Sequence, residues 1–288
     1  MTTGPDSPPA SHPWTGGRLS RRVTCVLAPN PGPMTLDGTN TYVLAEGGAD
    51  EAVVVDPGPE DPTHLARVMA ILEDQGQRAA MVLLTHGHPD HAEGATAFAE
   101  RAGCGVRAVD PAHRLGDEGL IAGERLEVAG LRLEVVSTPG HTADSVSLLL
   151  PEESALLTGD TLLGRGTTVV AHPDGRLGPY LETLDRLARL AQRAPGLLLL
   201  PGHGPAGASV ADVVDQYRAH RAHRLDEVVA AVRAGAGTVD DVVAAVYAAV
   251  DRRLWPAARL SVLAQVDYLI DAGRLSRRPS GGLSVPVA

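Results

Sequence analysis

The sequence contains no lysine: arginine supplies all 25 basic side chains. Cysteine is nearly as scarce, with Cys25 and Cys104 far apart in the chain. Two isolated thiols build neither a disulfide framework nor a cysteine-based metal site, so any metal chemistry must use His and Asp. Aromatic residues make up 3% of the 288, too few for an array of base-stacking platforms. No apolar run approaches the roughly 20 residues that crossing a bilayer requires, and even Leu197–Leu200 stops at Pro201. A membrane-spanning protein is excluded. The first residues are rich in Pro, Ser, Thr and Gly and lack an apolar h-region, so we expect a flexible tail over residues 1–20 and a cytoplasmic protein. Positive charge is also in deficit: 35 acidic residues give a net −10, which argues against a nonspecific nucleic-acid coat but leaves metal-mediated phosphate binding open. With 44% apolar and 21% charged side chains, the chain has enough for one large core, or a medium core and a small appendage.

From Val23 to about Pro205, short apolar runs bounded by Gly, Pro and Asp alternate with helix-like segments, the pattern of a mixed α/β domain. Strands are expected at Val23–Leu27, Tyr42–Ala45, Ala52–Val55, Met81–Leu84, Leu131–Val136, Val146–Leu150 and Ala155–Leu157. Helical spacing appears in Leu65, Val68, Met69 and Leu72, in Ala92–Arg101, and in Leu181, Leu184, Leu187 and Leu190. Beyond Pro205 the texture changes to helices at Val210–Ala234, Val239–Val250 and Ala257–Ala272. Thr238 and Asp241 have the spacing of a capping box, and Gly273 is placed to end the third helix. A Pro279–Gly282 turn then leads to Leu283–Val287, so three helices and a hairpin give the order of a winged helix. The expected domains are a tail at 1–20, a catalytic α/β domain at 21–206 and a helical winged-helix-like domain at 207–288.

The feature that carries chemistry is His86-Gly87-His88-Pro89-Asp90-His91, between an apolar strand and a helix start. In an extended segment residues two apart project to one side, so His86 and His88 present imidazoles to one ion. Pro89 turns the backbone, and Asp90 and His91 at the mouth of the helix face a second. One loop cannot finish two sites, because a hydrolytic zinc takes three protein ligands plus water. Three residues can complete them, each at a strand end beside glycine: His141 in Pro139-Gly140-His141, Asp160 in Gly159-Asp160, and His203 in Gly202-His203-Gly204. The set uses five of the eleven histidines; His12, His64, His113, His220 and His223 lie outside it.

This ordered set resembles the metallo-β-lactamase superfamily, an αβ/βα four-layer sandwich with two ions at one edge. The resemblance covers about Val23 to Pro205. It implies a first ion held by His86, His88 and His141, a second held by Asp90, His91 and His203, and Asp160 bridging both. It also implies that Asp56, in Val55-Asp56-Pro57-Gly58, supports the metal loop by hydrogen bonds. The two divalent ions, zinc by expectation, would share a bridging hydroxide as the nucleophile, with Asp90 orienting it as the catalytic carboxylate. The Asn30–Tyr42 and Leu163–Thr168 segments and the winged-helix tail further resemble the lactamase-beta-like protein two branch, whose members resemble single-strand-specific endoribonucleases. The implied function is hydrolysis of a phosphodiester in single-stranded RNA. Gly87 departs from relatives that carry a large residue there.

A glyoxalase-II-like thioester or ester hydrolase has nearly the same ligands and also a helical appendage, so a small acyl or thioester substrate is the alternative, with lactam hydrolysis of small metabolites a further one. The lactamase subclass that uses Cys in place of Asp160 is not matched. A different class of reading makes the C-terminal domain a nucleic-acid-binding or homodimer-forming module. Its ten Arg against nine acidic residues over 209–288 do not make a basic reading face, which favours a substrate guide. Thr39, Asn40 and His172 are expected as substrate contacts, the first two sharing that expectation with ordinary turn chemistry.

Overall fold

The structure, a computed structural model, describes residues 13–278 and 282–286. Strands β1 (Gly16–Arg18), β2 (Val23–Leu27), β3 (Asn40–Leu44) and β4 (Glu51–Val55) form an antiparallel meander. Helix α1 (Pro62–Asp74) crosses to β5 (Arg78–Leu83), and the single turn α2 (Pro89–Ala92) with α3 (Ala95–Ala102) crosses to β6 (Gly105–Arg107). These six strands lie side by side in sequence order, with β4, β5 and β6 parallel. The second sheet holds β7 (Arg125–Val128), β8 (Leu131–Ser137), β9 (Val146–Leu150), β10 (Ala155–Gly159) and, after helix α4 (Leu177–Arg193), β11 (Leu198–Pro201) parallel to β10. Helices α5 (Val210–Arg233), α6 (Val239–Val246) and α7 (Trp255–Asp271) follow, then the short hairpin β12 (Ser276–Arg277) and β13 (Leu283–Ser284).

Local chemistry explains the ends of these elements. Asp61 caps α1 by accepting the His64 N–H at 2.7 Å, and Pro62 occupies a first-turn position that has no use for an N–H. Thr238 and Asp241 make the expected reciprocal capping box on α6. Alternation along the strands then assigns the layers. Leu131, Leu133 and Val135 of β8 and Ala155 and Leu157 of β10 enter the core between the sheets. Leu156 and Leu199 point the other way, into a second core with Tyr180, Leu184 and Leu187 of α4. That second core runs on without a break into Val214, Val242 and Val262 of the C-terminal helices. Helix α5 is therefore packed against α4 as well as on its own bundle.

All seven expected strands are present with shifted ends. Three others, β1, β6 and β7, were not expected as strands, while β11 falls on the Leu197–Leu200 run before His203. Two of them have three residues and β7 buries only Leu126, so their local signal is weak and pairing with longer neighbours makes them strands. The expectation of a flexible tail is corrected for its described part. Gly16–Arg18 pairs with β2, and Trp14 donates its indole N–H to Asn40 Oδ1 at 2.8 Å; residues 1–12 lie outside the described residues. The helix expected at Ala92–Arg101 is split at Glu93-Gly94, and the one expected to reach Val250 ends at Val246. Most of the expected Pro279–Gly282 turn, residues 279–281, also lies outside the described residues. Among the described residues no helix is long and apolar enough to cross a membrane.

The sheet edge is what matters for function. The carboxyl ends of the parallel strands β4 and β5 lead to Asp56 and to the loop His86–His91, while β10 and β11 lead to Asp160 and His203 and the β8–β9 turn carries His141. Ligands in open α/β sheets gather at such carboxyl ends. Here the two sheets are also joined at this edge: Val146 donates its N–H to the Thr85 carbonyl at 2.8 Å, and Asn40 donates its own to the Gly202 carbonyl at 2.8 Å.

Candidate metal centre

The seven residues of the ligand set converge into overlapping groups: His86, His88 and His141; His86, His91 and Asp160; and Asp90, His91 and His203, with ligand atoms inside each group no more than 4.8 Å apart. His86 Nε2 lies 3.1 Å from His88 Nδ1, which lies 3.0 Å from His141 Nε2. On the other side His91 Nε2 lies 3.2 Å from His203 Nε2, and Asp90 Oδ2 is 3.2 Å from His203 Nε2. Asp160 stands between the halves, Oδ1 at 3.3 Å from both His91 and His203 and Oδ2 at 3.7 Å from His141.

Hydrogen bonds behind the rings settle which nitrogen points inward. His141 Nδ1–H is donated to the Val169 carbonyl at 2.8 Å, His203 Nδ1–H to the Gly38 carbonyl at 3.1 Å and His91 Nδ1–H to Asp56 Oδ2 at 3.0 Å. Thr85 donates its hydroxyl to Asp56 Oδ2 at 2.6 Å, which leaves its oxygen to accept His86 Nδ1–H at 3.0 Å. Each of these four rings thus turns its Nε2 to the interior, the arrangement by which outer partners orient metal-binding imidazoles.

Imidazole nitrogens facing one another at about 3 Å beside a carboxylate need positive charge between them. Asp160 Oδ1 is buried with no hydrogen-bond partner. Burial opposes the ionisation of Asp160, but His91 and His203 outweigh it and hold its carboxyl well below the usual range. Burial likewise lowers His203, yet Asp160 and Asp90 raise it to about 9. The Asp160 side of the pocket calls for cations, and two divalent ions fit the donor set of imidazole nitrogens and carboxylate oxygens. His86, by contrast, is driven well below its ordinary value by burial and by His91 and His141, which keeps its lone pair available.

Close approach requires glycine at two places. A Cβ on Gly202 would lie 2.6 Å from Asp160 Oδ1 and 2.7 Å from His91 Cε1, and one on Gly140 would lie 2.3 Å from Tyr180 Cα. Asp56 itself has a φ of +50°, a strained position for a non-glycine residue, and its carboxylate also accepts the Thr85 N–H at 2.8 Å.

The expectation that Thr39 and Asn40 contact substrate is corrected, because both are fully buried. Asn40 donates its amide to the carbonyls of Pro201 and Gly204, at 2.9 Å each, and Thr39 Oγ1 accepts from Asn30, so the pair secures the His203 loop. His172 is not brought to the cluster of imidazoles. It faces α7 with Nε2 3.5 Å from Asp267, lining a cavity of about 280 Å³ with Tyr268 and Asp271.

Residues 34–203 match the metallo-beta-lactamase superfamily, and residues 238–281 match the beta-lactamase associated winged helix domain. The chain belongs to the metallo-beta-lactamase superfamily. Among relatives of this superfamily member, lactamase-like protein nscB of Neosartorya fischeri is 36% identical over 203 residues, 70% of this chain and 58% of that protein. A beta-lactamase-like protein 2 homolog of Caenorhabditis elegans is 35% identical over 196 residues, 65% of this chain and 63% of that one. An atrochrysone carboxyl ACP thioesterase of Aspergillus fumigatus is 38% identical over 192 residues, 65% of this chain and 57% of that one. The chain's matches span little more than half the length of these proteins. The crystal structure of a metallo-beta-lactamase family protein from Thermus thermophilus has a TM-score of 0.77 at 25% identity, covering 93% of this chain and 100% of that one. The His and Asp clusters are consistent with the dinuclear site of this fold.

Two residues outside the expected set shape this superfamily member's site. His113 fills the space that Gly87 leaves: a Cβ at 87 would lie 2.4 Å from His113 Nε2 and 3.3 Å from Asp144 Oδ2. His64, fully buried, has Nε2 2.9 Å from Thr41 Oγ1, whose hydroxyl is donated to the Asp56 carbonyl at 2.7 Å. It braces the strained residue from behind, a role visible only once α1 is docked. Burial pushes His64 down to about 4 from 6.5. The unfolded chain then takes up this proton first, so the stability is complete above pH 6.5 and is lost as pH falls toward 4. A shift of that size corresponds to as much as about 3 kcal/mol. Denaturant unfolding at stepped pH should therefore show a slope shallower by about one proton in His64→Gln than in wild type over this window. Equal slopes would argue for a ring that is already charged in the fold.

Proposed function

We propose that this protein is a dinuclear metal-dependent hydrolase of acyl thioesters or esters, with zinc as its metal. The observation that carries the hydrolase reading is the convergence of five imidazoles and two carboxylates around the buried Asp160 Oδ1. Five imidazoles and two carboxylates suit zinc better than the oxygen-only ligand sets of magnesium or calcium. Bound there, the ions would supply Lewis acidity, polarising a carbonyl and bringing the pKa of water to about 7. His86, His88 and His141 would hold one, and Asp90, His91 and His203 the other, with Asp160 shared between them.

The chain's own part is orientation. Asp90 is the more exposed carboxylate of the set, at 29%, and would accept a hydrogen bond from the attacking water. Asp56 and Asn40 keep the two loops from shifting as charge develops. Burial of His91 and His203 excludes bulk water behind the reacting centre and strengthens the interactions inside it.

An acyl substrate is favoured over RNA by the charge of the surrounding wall. Asp144 beside Gly87, and Asp174, whose carboxylate accepts the Ala143 N–H, put negative charge on the His141 side. Arg165 near the His203 loop is paired with Asp37, and Arg218, Arg259, Arg274 and Arg277 of the C-terminal helices and hairpin are all paired with aspartates. A polyanion gains its affinity from unpaired cations, and these five arginines are all engaged by aspartates. The thioesterase named above supports the same choice. Cleavage of single-stranded RNA is the second reading, favoured by the likeness to the beta-lactamase-like protein 2 homolog.

The zinc-loaded protein should be given an acyl-glutathione, a labelled single-stranded RNA and a lactam in parallel, with Asp90→Ala as control. Thioester turnover above RNA cleavage, lost in the control, is the expected result. RNA cleavage that is faster and equally dependent on Asp90 would install the second reading.

A further inference from the structure

Helix α5 contains a buried cation that the hydrolytic chemistry does not use. Arg221 is 4% exposed and, among the described residues, pairs with no carboxylate; its Nε has no hydrogen-bond partner. Its guanidinium lies over the Tyr180 ring, 5.0 Å from the centroid, and donates Nη2–H to the Thr168 carbonyl at 2.6 Å. Burying an unpaired charge is costly, so an arginine here needs a compensating task. One turn earlier on the same helix face, Tyr217 accepts the Leu163 N–H at 2.9 Å.

Leu163 and Thr168 are the two ends of one segment. Before it stands Asp160; after it comes Val169, whose carbonyl receives His141 Nδ1–H, with Thr168 Oγ1 also 3.2 Å from that nitrogen. Between the two anchors Gly164-Arg165-Gly166-Thr167 forms the exposed part of the loop. The clamp thus sets the position of the carbonyl that fixes the tautomer and tilt of His141.

Resting on the reading that the cluster holds two ions, we propose that Arg221, with Tyr217, is a positioning residue of the metal centre, through which helix α5 controls the affinity of the His86, His88 and His141 site. The winged-helix side of the molecule then completes that site without touching it. Because the His91, Asp90 and His203 group has its own supports at Asp56 and Gly38, the effect is selective for one ion.

The test is cobalt(II) titration of the full-length chain, read by the visible ligand-field bands and by stoichiometry. Arg221→Met should weaken one of the two binding events by about 10- to 100-fold and alter its bands, leaving the other event as in wild type. Arg221→Lys, which keeps a donor for Thr168, should restore part of the loss. Wild-type affinity and spectrum in Arg221→Met would overturn the proposal, and so would equal weakening of both events, the mark of a general loosening. Should Arg221→Met fail to fold, Tyr217→Phe removes a single hydroxyl at the other anchor, and unaltered cobalt affinity there would overturn the clamp. A wild-type chain that takes up no cobalt contradicts the metal reading and this proposal with it, whereas a two-ion wild type with an unaltered Arg221→Met contradicts this proposal alone.

Discussion

Asparagine in place of Asp160 is expected to lower metal-dependent turnover by about 10²- to 10³-fold, or about 3–4 kcal/mol of activation free energy. Asp160 is the carboxylate that approaches ligands from both halves of the cluster, His141 on one side and His91 and His203 on the other. Its oxygen Oδ1 has no hydrogen-bond partner among the described residues and lies 3.3 Å from both His91 and His203 Nε2, where a cation would be shared. The amide has almost the same shape but no charge, and one of its two ends would present N–H groups where an acceptor is needed. The deficit should therefore appear in metal content as well as in turnover. Two ions bound and activity within about threefold of wild type would remove Asp160 from the centre of the account.

The second large effect is expected at a residue that touches no ion. Asp56→Ala removes the acceptor of the Thr85 N–H, the Thr85 hydroxyl and His91 Nδ1–H together, in a place that is 2% exposed. Leaving buried donors unsatisfied around a lost carboxylate should destabilise the fold by about 3–5 kcal/mol. Relief of the left-handed backbone cannot offset this, because alanine is no better suited than aspartate to a φ of +50°. With His91 no longer held in its tautomer, affinity for the second ion should also fall, by about 10- to 100-fold. Urea unfolding of the metal-free and metal-loaded proteins separates the two consequences. A metal-free variant within about 1 kcal/mol of wild type would show that Asp56 is not the keystone of the loop.

Much of this centre could be read from the chain because it is local. His86, His88, Asp90 and His91 sit in one six-residue loop, and the other three ligands each stand beside a glycine at a strand end, where only compact backbone allows loops to crowd. Asp56, in Val55-Asp56-Pro57-Gly58, was legible only through the family resemblance. What the sequence concealed depends on partners far along the chain. Thr39 and Asn40 look like turn residues with free donors, but the His203 loop arrives over them and buries both. Arg221, read locally, belongs to the solvated face of a long helix; only docking of α5 against α4 places it under the Thr168 carbonyl. Strand β1, in Gly-Gly-Arg, has no intrinsic strand preference and exists because β2 offers an open edge. The gap at Gly87 is a third case, since the side chain that fills it, His113, comes from the loop after β6.

The most direct measurement of the central claim is metal analysis by plasma mass spectrometry of the full-length protein, purified with zinc and then dialysed, before and after a strong chelator. The account predicts about two equivalents per chain, removed by the chelator together with hydrolytic activity and restored together when zinc is returned. Less than one equivalent in the zinc-treated protein, with turnover that persists undiminished in chelator, would contradict it.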